Sequence, residues 1–372
     1  MYKTLDSYDF KGKKVLVRID INSEVNKGKI TFSERFTAPL VTIRELMQKK
    51  AKVVIIAHQG RPRSSDFTSL IQHSGLLKRF IPKLIFVDDI IGNKAVNAIK
   101  SLKEGNVLLL ENLRFLKEEL EPKKENKLVK ILTPLFDYYV NDAFSVSHRV
   151  QTSITEFPKV LKSCVGRTME LELKNLSKLD IKNAVFILGG DKVEDVALLF
   201  NKKHILSAGV PALVCLLAKG VNLGAENERK SQITSEIKKE AKHIVTPVDL
   251  AANVNGKRQE LKLSDLPSNY KILDIGSETI KQYCDIIKKS KSIFLKGTPG
   301  YSQITGFEKG TFNILKAIEQ SKAFSVVAGG HSTTALTHFK INKKKIGYIS
   351  LSGGALVHYV AGKKLPGLEV LK

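Results

Sequence analysis

The residues of this chain best equipped for chemistry are arginines standing where apolar runs end. Four runs in the first half, VLVRIDIN, VVIIAHQGRP, VLLLENLR and YVNDAFSVSHR, carry them. They close on Arg18-Ile19-Asp20-Ile21-Asn22, on His58-Gln59-Gly60-Arg61-Pro62, on Glu111-Asn112-Leu113-Arg114, and on Asn141-Asp142 followed by His148-Arg149. One arginine in such a place is usually a surface ion pair. Four at equivalent ends are harder to dismiss, because forked guanidinium donors converging on a crevice suit phosphate and carboxylate groups. We expect the His148-Arg149 loop to help close a basic pocket for a small dianion.

The second half ends its runs on glycine. Gly189-Gly190-Asp191-Lys192, Gly297-Thr298-Pro299-Gly300, Gly329-Gly330-His331-Ser332 and Ser352-Gly353-Gly354-Ala355 each follow a β-branched stretch. Glycine at a strand-to-helix turn lets backbone N–H groups approach a phosphate, with a helix N-terminus behind them. A single pair is more often a tight turn, but several on one sheet, one with a lysine, favour a nucleotide. No GxxxxGK[ST], GxGxxG or protein-kinase set is present, so a nucleotide site would belong to another kind of phosphotransferase.

Such residues need a scaffold that delivers strand ends to one place. Short apolar runs alternate with amphipathic stretches such as FTAPLVTIRELMQKK and TSEIKKEAKHI, the pattern of parallel sheets covered on both faces. In open parallel sheets, ligands bind beyond the carboxyl ends of the strands. The length of 372 residues exceeds what one core usually serves. We therefore expect an α/β protein of two doubly wound, Rossmann-like domains. The boundary is expected near Ser163, with TMELELKNLSKL as a joining helix, giving domains over 1–163 and 164–357.

Composition narrows the class further. The three cysteines, Cys164, Cys215 and Cys284, have no CxxC spacing, which signals neither a disulfide framework nor zinc and fits a reducing cytoplasm. No run approaches the roughly 18 apolar residues of a membrane span, and the N-terminus has no signal-peptide core. The net charge of +24 implies anionic partners. Much of it lies in lysine runs such as Lys123-Lys124, Lys202-Lys203, Lys288-Lys289 and Lys343-Lys344-Lys345, which read as solvated faces. A basic nucleic-acid-binding protein is the rival class, but 7% aromatics and no recognisable motif argue against it, and no nucleic acid or membrane partner is expected.

Taken in order, VLVRIDIN, GKITFSERF, AHQGRP, FVDDIIG, LLLENLRFLKEE, YVNDAFSVSHR, ILGGDKVED, TPVDL, LDIGSETI, GTPGY, AGGHSTTAL and ISLSGGALVHYVAGKKLPGLEVL resemble the phosphoglycerate kinase family over nearly the whole chain. DFTSLIQH and AGGH look more like its archaeal branch. The resemblance implies an inter-domain cleft that closes by a hinge, and a C-terminal tail, about 358–372, packing on the first domain. It implies phosphoryl transfer between 1,3-bisphosphoglycerate and ADP, giving 3-phosphoglycerate and ATP with Mg²⁺, in the cytoplasm. A monomer is preferred, and a member that has lost catalysis is the alternative within the family.

Residue by residue, the resemblance lays Asp20, Asn22, Arg35, His58, Gln59, Gly60, Arg61, Arg114 and Arg149 on the triose-phosphate site. It lays Gly189, Gly190, Lys192, Gln303, Gly329, Gly330, His331, Ser332, Gly353 and Gly354 on the nucleotide site, with Arg35 and Lys192 as catalytic groups. Arg35 is supplied by the resemblance alone. Three departures stand out: His331 where the family usually has Asp near magnesium, Val196 where many members have a second lysine, and Gln303 where an acid commonly holds the ribose. They leave the metal ligands open.

Overall fold

The computed structural model describes residues 2–372, which form two compact units. One comprises the chain up to Leu173 together with Lys363–Lys372, and the other is Lys174–Gly362.

The first unit contains β1 (Lys14–Ile19), the small hairpin β2 (Val25–Asn26) and β3 (Lys29–Ile30), β4 (Lys52–Ile56), β5 (Ile85–Val87), β6 (Val107–Leu110), β7 (Tyr138–Asp142) and β8 (Lys162–Val165). Six of these form a parallel sheet in the order β5-β6-β4-β1-β7-β8. Val15, Val17 and Ile19 enter one core and Leu16 the other, with Leu108 and Tyr139. Burial on both faces is why these strands read as unbroken apolar runs. The four interior strands β6, β4, β1 and β7 are neighbours, so their arginine-bearing ends meet along one edge of the layer.

Local differences from the sequence reading have clear causes. FTAPLVTIRELMQKK is two helices, Glu34–Thr37 and Leu40–Gln48, because Pro39 stands at the N-cap of the second, where its missing N–H does no harm. The first unit runs past Ser163 because Cys164 and Val165 complete β8. Arg167, at the start of the helix Arg167–Leu176, is also bound to Glu45, Asp6 and Glu170. The C-terminal return begins at Lys363 rather than about 358, since the helix Gly354–Val360 belongs to the second unit. Gly367 N–H then donates to Ser147 O at 2.9 Å, and a Cβ on Gly367 would come within 2.7 Å of Ile154.

The second unit contains β9 (Val185–Leu188), β10 (His204–Ser207), β11 (Asp249–Val254), β12 (Lys257–Lys262), β13 (Ile272–Ile275), β14 (Ser292–Lys296), β15 (Phe324–Ala328) and β16 (Tyr348–Ser350). The parallel sheet has the order β10-β9-β14-β15-β16, with Ile187, Leu295 and Val327 in its core. The runs around TPVDL and KILDIGS do not join it. They are β11 and β13 of a separate antiparallel sheet ordered β12-β11-β13. The signal was Asn255-Gly256, both at positive φ, a two-residue hairpin turn between β11 and β12.

Candidate functional site

In the first unit the arginines converge. Arg18, completely buried near the end of β1, shares the face of Leu16 and reaches under the strand ends. Its Nε donates to Ser153 Oγ at 3.0 Å, and its Nη2 lies 2.8 Å from His58 Nδ1. A guanidinium has only donors, so His58 Nδ1 must accept and the proton of the neutral ring sits on Nε2. Burial, then Arg18, holds the His58 pKa well below the ordinary value, which keeps this tautomer neutral. Ser153 passes the contact on: its Oγ donates to Glu119 Oε1 at 2.7 Å and its N–H to Oε2 at 2.9 Å, the carboxylate being fully buried.

Around this support stand the other guanidiniums. Arg114 is buried and donates to Gly60 O, and burial followed by Arg149 and Arg18 brings its pKa down to about 10. Arg149 is pushed down by burial and by Arg18, Arg61 and Arg35, against the pull of Asp20, and its Nη1 is buried with no hydrogen-bond partner. Arg61 is exposed. Arg35 is ion-paired to Asp20 Oδ2, which Ser145 Oγ also meets, while Asn22 N–H donates to Oδ1 at 3.0 Å. Burial opposes ionisation of Asp20, but Arg35 overcomes it and holds the carboxyl below its usual range. Five guanidiniums thus face two carboxylates, Asp20 and Glu119, and the surplus of cations with an orphaned buried N–H calls for an anion.

The remaining predicted residues build the rim. Asn22 Oδ1 accepts from Gly60 N–H at 2.8 Å. Gly60 has φ +69°, and a Cβ there would come 2.3 Å from Asp66 O. The Gln59 amide is engaged with Ser23, Asp66 and His73, which suits it to positioning the rim. Asn141 and Asp142 also face inward. Asn141 Oδ1 accepts from Ala143 N–H, and Asp142 Oδ1 accepts from Met169 N–H at 2.9 Å in the first turn of the helix Arg167–Leu176. Sequence reasoning singled out Arg18 among the four strand-end arginines but not its role as a buried support, and it passed over Ser145, Ser153 and Glu119.

In the second unit a cavity of about 380 Å³ runs from Gly190, Asp191 and His331 to an apolar slot of Leu213, Leu250 and Ile272, with Tyr301 and Gln303 at its mouth. Glu226, buried and paired to Arg229 at 2.6 Å, and Lys271 border the slot. An apolar slot with a few polar groups is suited to a planar ring. Gly189 and Gly190 serve packing as well as access: a Cβ on Gly189 would come 2.6 Å from Thr298 O, and Gly190 N–H donates to that same oxygen at 2.9 Å. Gly329, at φ +99°, caps the helix Gly330–His338, where Ser332 is buried with an unpartnered Oγ. Lys192, Gln303 and His331 are exposed, and Gly353 precedes the helix that begins at Gly354. Val196 is fully buried, a core residue where a lysine could not stand. Glu308, five residues beyond Gln303, keeps a buried Oε2 without a partner.

Among the described residues no cluster of three or more His, Cys, Asp and Glu could hold a metal ion. The side chains nearest the glycine turns, Asp191 and His331, are not a set that fits a magnesium ion held by protein alone. No helix of the described residues is long and apolar enough to cross a membrane. Of the lysine runs, Lys123-Lys124, Lys288-Lys289 and Lys343-Lys344-Lys345 are exposed, as solvated faces should be.

Two Rossmann-like α/β units, one with a guanidinium basin and one with glycine turns over an apolar slot, define the class of two-domain α/β phosphotransferases. The chain belongs to the phosphoglycerate kinase family, whose model matches residues 5–363. It is 40% identical to phosphoglycerate kinase of Methanothermus fervidus, over 100% of this chain and 97% of that one. It is 41% identical to that of Thermococcus sibiricus, over 99% and 96%. The crystal structure of phosphoglycerate kinase from Pyrococcus horikoshii OT3 superimposes with a TM-score of 0.90 at 36% identity, covering 100% of this chain and 98% of that one.

Proposed function

We propose that the chain catalyses reversible phosphoryl transfer between 1,3-bisphosphoglycerate and ADP, yielding 3-phosphoglycerate and ATP. The observation that carries this reading is the guanidinium basin at four adjoining strand ends, in a chain of this family. Arg61, Arg114 and Arg149 bind the phosphate and carboxylate of the triose. The Nε2–H of His58 adds a neutral donor, and Asn22 with Gly60 shapes the rim. Gly189, Gly190, Gly329, Gly330, Ser332, Gly353, Gly354 and Lys192 receive the nucleotide phosphates, with the ring in the apolar slot.

An oxygen of the ADP β-phosphate attacks the acyl phosphorus. The bond from phosphorus to the carboxyl oxygen breaks, and 3-phosphoglycerate leaves as a carboxylate. Attacking and leaving oxygens are both anionic, so no proton moves and no general base is needed. The demand is for in-line alignment and positive charge around the equatorial oxygens, which Arg35 and Lys192 supply. Magnesium enters as part of the nucleotide substrate, bound chiefly by its phosphates. The cytoplasm is the proposed compartment, in keeping with three unpaired cysteines.

The test is a coupled spectrophotometric assay of the purified chain with Mg·ATP and 3-phosphoglycerate. Saturable turnover requiring both substrates is expected. A folded chain that binds both ligands without turnover would instead be a member of the family that has lost catalysis.

A further inference from the structure

Lys296 is a charged group that the preceding roles do not use. It ends β14, the middle strand of the second unit's parallel sheet, in register with Leu188 of β9 and Ala328 of β15. Its neighbours along the sheet edge are therefore Gly189-Gly190 on one side and Gly329-Gly330 on the other. The Nζ lies 3.2 Å from the point a Cβ on Gly329 would occupy, so the missing side chain leaves the ammonium open to the start of the helix Gly330–His338. Lys296 is half-buried, and among the described residues its ammonium makes no hydrogen bond or ion pair.

An ammonium withdrawn from water without a partner is unfavourable until an anion arrives. Burial lowers its pKa, and the carboxylates of Asp195 and Asp191 only partly offset that. A second observation points to the same spot: Ser332 is 1% exposed, with an Oγ that meets no partner, in the first turn of that helix. Free N–H groups of the turn, a spare hydroxyl and a spare cation together describe a phosphate site. The cavity wall reaches Gly190 and His331, beside the glycine turns that flank Lys296. A nucleotide whose ring fills the slot of Leu213, Leu250 and Ile272 would extend its phosphates toward this strand end.

We propose that Lys296 contacts the terminal phosphate of the nucleotide, acting as a second cation beside Lys192 that is delivered from a different strand. This rests on the reading of the second unit as the nucleotide site. Lys192 is exposed on its loop, whereas Lys296 ends a sheet strand and is half-buried, so its ammonium is partly withdrawn from water before the ligand binds.

The experiment is calorimetry of the full chain with Mg·ADP and with AMP, joined to steady-state rates and thermal melting, for the wild type, Lys296→Met and Lys296→Arg. Loss of one charged contact predicts roughly 10- to 100-fold weaker ADP binding in Lys296→Met. AMP affinity should stay within about twofold, kcat should fall, and Lys296→Arg should recover part of the loss. Melting of Lys296→Met should be unchanged or higher, since an unpaired half-buried charge has been removed. ADP affinity and kcat in Lys296→Met equal to those of the wild type would overturn the assignment while leaving the nucleotide reading intact. Equal losses for ADP and AMP with a lower melting temperature would also overturn it, by showing a packing role. A wild type that binds neither nucleotide would refute the underlying reading itself.

Discussion

Replacing Arg35 by alanine separates transition-state charge from ground-state binding more sharply than any other change in the basin. On the proposed reading its guanidinium meets the transferring phosphoryl group, and removal of one preorganised donor of this kind typically removes about 3 kcal/mol of transition-state stabilisation. That corresponds to roughly a hundredfold or more in kcat. Ground-state binding should suffer less, because Arg18, Arg61, Arg114 and Arg149 remain. The stability change should be small: Arg35 is 30% exposed, and a partly exposed pair contributes about 1 kcal/mol or less.

The variant also strands Asp20, which keeps Ser145 and the Asn22 N–H but loses its cation beside an anion site. KM for 3-phosphoglycerate should therefore rise, by about tenfold at most. The double variant Asp20→Asn with Arg35→Ala removes that stray carboxylate and should recover KM without recovering kcat. Coupled-assay kinetics, calorimetry with 3-phosphoglycerate and a thermal melt supply the three readouts. A kcat within fivefold (about 1 kcal/mol) of the wild type would refute the argument that Arg35 acts on the reacting group.

Three further outcomes are expected. Arg149→Lys should weaken 3-phosphoglycerate binding by roughly tenfold and leave ADP affinity unchanged, because a lysine cannot reproduce a planar fork; equal losses for both ligands in calorimetry would deny a triose role. His331→Ala should alter ADP affinity by less than about threefold and leave the magnesium dependence of the rate unchanged, since the side chain is exposed and is a poor partner for a hard cation; a displaced magnesium titration would put it in the metal shell. Burial raises Asp142 to about 6 from 3.8, so the folded chain binds more protons than the unfolded one between about pH 4 and 6. Its contribution is present below that window and lost as pH rises through it, by about 3 kcal/mol. The depressed pKa values of His58 and His73 act in the opposite direction, so the quantity to measure is the difference between wild type and Asp142→Asn in urea melts at pH 4 and pH 7. A difference that does not change with pH would sink the assignment.

The legible part of the fold was whatever two-sided burial had written into composition. β1, β4, β6 and β7 read as apolar runs because both their faces are covered, and their ends could be found by where polarity resumes. The antiparallel β11 to β13 was misplaced because TPVDL and KILDIGS are as apolar as the true sheet strands, and the Asn255-Gly256 turn was the only discriminating sign. Within the site, side chains that end a strand were visible, but supports reached from afar were not. Ser153 and Glu119 stand 135 and 101 positions from Arg18 along the chain, and no local pattern marks a residue whose partner is that distant. Gln59 shows the converse: it adjoins His58 at a strand end, yet its amide is engaged with Ser23, Asp66 and His73, partners that the local sequence does not reveal.

On the proposed reading, the two units meet the same demand, holding anions, by opposite physical means. The first fixes guanidiniums on rigid strand ends, which suits a small ligand whose phosphate and carboxylate have fixed shapes, but sets like charges against one another. Burial first, and the neighbouring guanidiniums after it, depress the pKa values of Arg114 and Arg149, and Asp20 and Glu119 relieve only part of that. The second offers turns, a helix start and isolated lysines, which tolerate a flexible polyphosphate chain and create little repulsion when empty. It follows that binding of the small anion should tighten the first unit far more than nucleotide tightens the second. In the first, the ligand completes a balance among five guanidiniums that the chain leaves open, and in the second it meets only isolated lysines and backbone N–H groups.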